Sequence, residues 1–222
     1  MTESQETNEW IKNARRFADL RSAGKELGLA LDQYRRQPNV IVLGIALGGV
    51  PVAHEVAKHL GAPFDLIIIR RLLMPQGPGS QTCAVSVAGS LVIDADLPPL
   101  AEVPTTPLDH FLADAIAGLT IREQICRRGR PPVSLAGKTV LLVDCGIRSS
   151  LTMQAAIKAI RTRKPAAIIA AVPSASSDGH RKVEALADEV ICLQQPEPFG
   201  NVAIWYLDFS RPDDDHIGEL LG

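Results

Sequence analysis

The sequence predicts an α/β fold in which a mainly parallel sheet is covered by helices on both faces. Several short runs are almost continuously apolar: NVIVLGIA (39–46), FDLIIIRRL (64–72), TVLLVD (139–144), AAIIAAV (166–172) and EVICL (189–193). That is the pattern of strands buried on both faces, which parallel sheets require. Amphipathic stretches alternate with most of these runs, and such alternation argues for crossover connections rather than hairpins. Two of the runs end in Gly-containing turns that open directly into a helical pattern.

The elements follow in order. Residues 8–36 carry helical periodicity with many charges and stop at Gln37-Pro38. After the first strand comes GGVPVAHEVAKHLG, where Pro51 suits a first helical turn, Val50, Ala53, Ala57 and Leu60 share a face, and Gly61 ends the helix. With the strand at 64–72 this completes a βαβ unit. The middle, 73–104, is rich in Gly and Pro around AVSVAGSLVID and predicts loops with a hairpin, followed by a helix over 107–128. Beyond the strand at 139–144, Met153, Ala156, Ile157 and Ile160 form one buried helical stripe. A further helix is predicted in SDGHRKVEALAD, capped by Ser177 or Asp178. The Asp213-Asp214-Asp215-His216 run reads as an acidic turn and helix start.

The 222 residues are 46% hydrophobic and 22% charged with net charge −2, which suits one globular domain, expected over 1–222. No basic stripe suggests a nucleic-acid partner, and no apolar stretch approaches the roughly 18 residues of a membrane span. The polar N-terminus, MTESQETNEW, is unlike a secretory signal. The four cysteines lack CxxC spacing and read as reduced thiols, consistent with a cytoplasmic setting. The five histidines show no metal spacing, so no protein-held metal site is expected.

In an open parallel sheet, ligands sit beyond the carboxyl ends of the strands. GIALGGVP (44–51) and VDCGIRSSLT (143–152) occupy such ends. Both place small residues at a helix entrance, where free N–H groups and the helix dipole favour an anion. Neither loop matches G-x-G-x-x-G or G-x-x-x-x-G-K-[ST], so dinucleotide and P-loop readings are poorly supported. Ser149 and Ser150 follow a strand without a G-x-S-x-G elbow, which argues against a serine hydrolase. Arg70 and Arg71 end the second strand at the same edge.

Together, ALGGVPVA, IIIRRL, VDCGIRSSLT and QPEPFGNVAIWYLDFS resemble the type I phosphoribosyltransferase family, in particular a small bacterial group. The resemblance implies a three-layer, doubly wound sheet with a flap, hairpin and helix insertion at 73–130 and a hood at 194–222. It implies that phosphoribosyl pyrophosphate (PRPP) donates phosphoribosyl to a nitrogenous base, with Mg²⁺ accompanying the pyrophosphate, no tightly bound cofactor, and a homodimer. Asp144 matches the family's first acid and is assigned the catalytic, ribose-holding role. Gly146, Ile147, Arg148, Ser149, Ser150 and Thr152 match its phosphate loop. Leu47, Gly48, Gly49, Arg70 and Arg71 match its pyrophosphate side.

The departures matter as much. Cys145 stands where the family has a second acid, and a thiol with reference pKa about 8.5 is mostly neutral at pH 7. Leu47 stands where the family has an arginine, removing a cation from the leaving-group side. Ser150 replaces a glycine and is expected to crowd a loop that uses φ > 0. Arg148 instead adds a guanidinium fork to an anion loop. Two functions therefore stand: a phosphoribosyltransferase with a weakened donor site, or a non-catalytic relative that binds a nucleotide or other phosphate anion in regulation or assembly. Phe199, Trp205 and Tyr206 are read as core or subunit contacts in preference to stacking surfaces for a base.

Overall fold

The computed structural model describes residues 15–74, 81–93 and 105–222. The start of the 8–36 helical pattern and most of the MPQGPGS and DLPPLAEVPTTP stretches lie outside the described residues. The elements are α1 (Leu20–Ala30), β1 (Val40–Ala46), α2 (Gly49–Leu60), β2 (Phe64–Met74), β3 (Gln81–Ser86), β4 (Leu91–Ile93) and α3 (Thr105–Arg127). They continue as β5 (Thr139–Val143), α4 (Leu151–Arg161), β6 (Ala167–Ser174), α5 (Ser177–Glu184), β7 (Glu189–Gln194) and α6 (Asp214–Leu220).

The sheet runs β4-β3-β2-β1-β5-β6-β7. β2, β1, β5, β6 and β7 are parallel, and β3 and β4 add an antiparallel edge. From β1 the chain crosses to β2 on one side, while from β5 it proceeds to β6 and β7 on the other. Successive right-handed crossovers in opposite directions put their helices on opposite faces. The order therefore reverses between β1 and β5, which pair with Gly44 opposite Val143.

Burial follows the alternation of side chains. Ile41, Leu43 and Ile45 face one way with Val140, Leu142, Ile168 and Ala170, and the Met153, Ala156, Ile157 and Ile160 stripe of α4 covers them. Val40 and Val42 face the other way with Leu141 and Val143, beneath α1, α2 and the aromatic tail. A third cluster joins Leu66, Ile68 and Leu72 of β2 to Ala115 and Leu119 of α3 and Ile217 of α6. Phe199, Trp205 and Tyr206 are all buried in the second cluster, as core residues.

Helix ends agree with the sequence at Gly61, which adopts the left-handed conformation as the C-cap of α2, and at Asp213, which caps α6 through the His216 N–H. They differ at α5. Ser176, one residue before the expected cap, accepts from the Gly179 N–H at 3.0 Å. The reason is tertiary: the Ser177 hydroxyl donates to Glu197 at 2.6 Å.

One buried ion pair fastens α3 to the sheet. Arg127 donates to Asp65 at 2.6 Å, to the Leu66 carbonyl at 3.1 Å and to Glu123 at 2.7 Å. Asp65 also accepts from the N–H groups of Leu66 and Val133. Removing one member of such a pair strands the other in a low-dielectric interior. Asp65→Ala is expected to lower unfolding free energy by about 3–5 kcal/mol, read from the urea midpoint. A loss within the range of ordinary surface substitutions would show that Arg127 finds water instead.

Candidate functional site

The two loops at the β1/β5 reversal enclose a pocket of about 280 Å³. Leu47 and Gly48 follow β1, Asp144 to Ser149 follow β5, and Thr152 and Met153 belong to the first turn of α4. Ile45, Ile69, Arg71, Val202 and Arg211 also line it. Crossover connections alone would leave a crevice here; the side chains decide what it accepts.

Two helix N-termini converge on the pocket without side-chain caps. α2 starts after Gly48 and α4 after Ser150, and neither residue's side chain bonds a helix N–H. By contrast α1, α5 and α6 are capped by Asp19, Ser176 and Asp213. The first N–H groups of a helix need partners, and its dipole favours negative charge there. Among the described residues the amides of Gly146, Arg148, Ser149 and Ser150 also form no hydrogen bond. The Ser149 hydroxyl is buried and unpartnered.

The Ile147 amide is different. It donates to the Ser174 carbonyl at 2.9 Å, and the Ile147 carbonyl accepts from Ser176 N–H at 2.8 Å. This short parallel bridge to Ala175 clamps the loop against the end of β6. A Cβ at Gly146 would lie 2.8 Å from Val202 Cγ1 and 3.1 Å from Ser174 Oγ, so only glycine lets the tail and β6 close on the loop. From the other side Tyr206 donates its hydroxyl to the Cys145 carbonyl at 2.5 Å. The loop is held open by its neighbours rather than by its own amides.

Three residues singled out in the sequence do not line the pocket. Ser150 sits in the ordinary right-handed region (φ −72°, ψ −10°) and accepts from Gln154 Nε2 at 2.6 Å. The expected crowding of a positive-φ position therefore does not occur. Gly49 is the first residue of α2, where a Cβ would meet the Val143 carbonyl at 2.7 Å; it permits the two loops to approach. Arg70 points away from the pocket. Alternation along β2 sends Ile69 and Arg71 into it, whereas Arg70 Nη1 lies 3.6 Å from a Cβ placed at Gly118 of α3.

The electrostatics are lopsided. Arg71, Arg148 and Arg211 line the pocket, and Asp144 is the one acid among the lining residues. Burial pushes the Asp144 carboxyl up from 3.8 to about 6, against the lowering effects of the Cys145 N–H, the Cys145 thiol and Arg211. Burial, reinforced by the Asp144 charge, lifts the Cys145 thiol well above its ordinary value. Cys145 is therefore a neutral neighbour that shares a hydrogen bond with Asp144, not a second anion. Leu47 packs toward the Val50 and Leu66 cluster, so its side chain serves the core as well as the pocket wall.

Arg211 and Val202 were not read from the sequence as site residues. Both come from the 194–222 segment, whose composition draws attention only to its aromatics. For Arg211 the one local signal was the Ser210-Arg211-Pro212 step just after LDF, a cation in a turn; Val202 had none.

A carboxyl whose folded pKa is raised holds its proton to higher pH than the unfolded chain does. Its destabilising effect is absent below about pH 4 and grows as pH rises through about 6. Asp144→Asn should therefore stabilise the unliganded protein by about 2–3 kcal/mol at pH 8 and by almost nothing at pH 4. Denaturation at both pH values checks this; a gain equal at both would place the effect elsewhere.

Comparison with known proteins agrees with this geometry. The chain is 33% identical over 205 residues to proteins from two strains of Mycobacterium tuberculosis whose names propose a phosphoribosyl transferase, covering 92% of this chain. It spans 46% of their length, about half. The crystal structure of TT1426 from Thermus thermophilus superposes with a TM-score of 0.78 at 33% identity, covering 93% of this chain and 97% of that one. The family model of the phosphoribosyl transferase domain matches residues 18–208, and with two uncapped helix ends facing a cationic pocket at the sheet's reversal point, the chain belongs to that family.

Proposed function

We propose that the pocket binds phosphoribosyl pyrophosphate and that the protein transfers its phosphoribosyl group to a nitrogen of an acceptor. The observation that carries this is the arginine-rich lining, Arg71, Arg148 and Arg211 around one acid, at two uncapped helix N-termini. A ligand with separate anionic ends and hydroxyls between them fits that distribution. Arg148, the free amides of residues 146, 148 and 149 and the Ser149 hydroxyl hold the 5′-phosphate. Asp144 accepts hydrogen bonds from the ribose hydroxyls. Arg71 and the N-terminus of α2 at Gly48 face the pyrophosphate.

In the reaction the bond from C1 of the ribose to the pyrophosphate oxygen breaks, and its electron pair leaves with pyrophosphate. The acceptor nitrogen's lone pair forms the new bond to C1, and its proton passes to solvent. Positive charge develops on the sugar between those events, and the ionised form of Asp144 lies where it opposes that charge.

Among the described residues no cluster of three or more His, Cys, Asp and Glu side chains could hold a metal. One carboxylate nevertheless fits Mg²⁺ carried in on a diphosphate, since this ion commonly keeps its waters and takes most other ligands from substrate phosphates. The ion would then be part of the substrate, with Asp144 its contact on the protein. It would supply charge neutralisation at the leaving group.

A second reading is favoured by Cys145 and Leu47: a relative that retains the anion cradle and has given up transfer. Calorimetry with PRPP, with and without Mg²⁺, and pyrophosphate release across several bases separate the two. Transfer requires release with at least one base; binding with no release favours the non-catalytic reading; no binding defeats both in their PRPP form. Arg148→Ala is expected to weaken PRPP binding about 10- to 100-fold, the range for a hydrogen bond to a charged group. An unchanged affinity would remove Arg148 from the phosphate site.

A further inference from the structure

The family's arginine on the pyrophosphate side is absent here, because position 47 is leucine. Arg211 reaches the same wall from the other end of the chain. A Cβ at Gly48, the residue after Leu47, would lie 3.6 Å from Arg211 Nε and 2.8 Å from Cys145 Sγ. The guanidinium therefore rests against the first loop, and its charge is felt by both Asp144 and Cys145.

Its position is set by local chemistry. Asp208 Oδ1 accepts from the N–H of Ser210 at 2.8 Å and from its hydroxyl at 2.6 Å, closing a turn just before Arg211. Pro212 biases Arg211 toward extended backbone, and Asp213 then caps α6. The guanidinium carbon stands 4.8 Å from the centre of the Phe209 ring, which leans on Tyr206 at 5.0 Å. Tyr206 is the residue bonded to the Cys145 carbonyl. The guanidinium is thus tied to the Asp144–Cys145 loop through two aromatic side chains in contact.

Among the described residues Arg211 forms no ion pair. It also lines a second cavity of about 270 Å³ with Asp19, Arg21, Pro51, Asp208 and His216, so it stands on the partition between two open spaces. A guanidinium held against an aromatic ring at the mouth of an anion site, near Asp144 but with no carboxylate within ion-pair distance among the described residues, has its donors free for a ligand.

We infer that Arg211 supplies the cation missing at position 47 and holds the pyrophosphate end of the donor. This rests on the PRPP reading. It means that the pyrophosphate side of the site is rebuilt from the tail, not lost with the arginine of the first loop.

Calorimetry with three probes, PRPP, inorganic pyrophosphate and ribose 5-phosphate, tests it on the wild type, Arg211→Ala, Arg211→Lys and the double variant Leu47→Arg/Arg211→Ala. Expected is a loss of about tenfold or more in PRPP and pyrophosphate affinity for Arg211→Ala, with ribose 5-phosphate unchanged. Arg211→Lys should fall between, keeping charge without the fork. Leu47→Arg should restore part of the loss in the double variant. Equal losses for all three probes would mean that Arg211 merely shapes the pocket, and no loss for PRPP would also overturn the inference. A wild type that binds ribose 5-phosphate but neither diphosphate probe defeats the inference and leaves the phosphate cradle standing. A wild type that binds none of the probes defeats the proposed function itself.

Discussion

The structure depends on the parallel pairing of β1 with β5. These strands are neighbours in the sheet but are separated in sequence by nearly a hundred residues, and the register of Val40 with Thr139 through Gly44 with Val143 brings their ends level. Because the chain leaves β1 toward one edge of the sheet and β5 toward the other, α2 and α4 diverge to opposite faces from almost the same point. Their N-termini then share one space. Without that pairing, each would be an ordinary helix end bonded to water.

What fills the space is a consequence of which polar groups the fold has already satisfied. Ile147's amide belongs to β6 and Cys145's carbonyl to Tyr206, so the loop cannot relax onto itself. Gly146, Arg148 and Ser149, whose amides remain free, line a pocket with three arginines and one carboxyl of raised pKa. A site of that kind is cationic, and beside its one acid stands a buried neutral thiol that shares a hydrogen bond with it.

The tail illustrates how one segment does two jobs. Phe17, Tyr206 and Trp205 pack in the core below α1 and α2, with the Trp205 indole N–H donating to the Phe199 carbonyl at 3.0 Å. That burial anchors the chain just upstream of Phe209, which packs against the same core, and of Arg211, which lines the pocket. Hydrophobic packing here decides where a charge is presented.

The strands, the α2 and α4 stripes, the Gly61 cap and the two loops at strand ends were all legible in the sequence, because each is written in neighbours a few residues apart. Buried strands need uninterrupted apolar runs, and helices need a 3.6-residue period; both are local constraints. The acid at 144 and the arginine at 148 were legible for the same reason, lying in one short loop. Arg70 and Arg71 could not be told apart until β2's register fixed which faced the pocket and which faced α3. Ser150's backbone was set by α4, not by the glycine it replaces. Arg211 lies about 160 residues beyond Gly48, the residue of the first loop that it rests against, and nothing in its immediate surroundings states that the tail folds back over β1. Such long-range juxtaposition comes from burying Trp205 and Tyr206 against the sheet, a free energy that belongs to the whole core and appears only when the tertiary structure is formed.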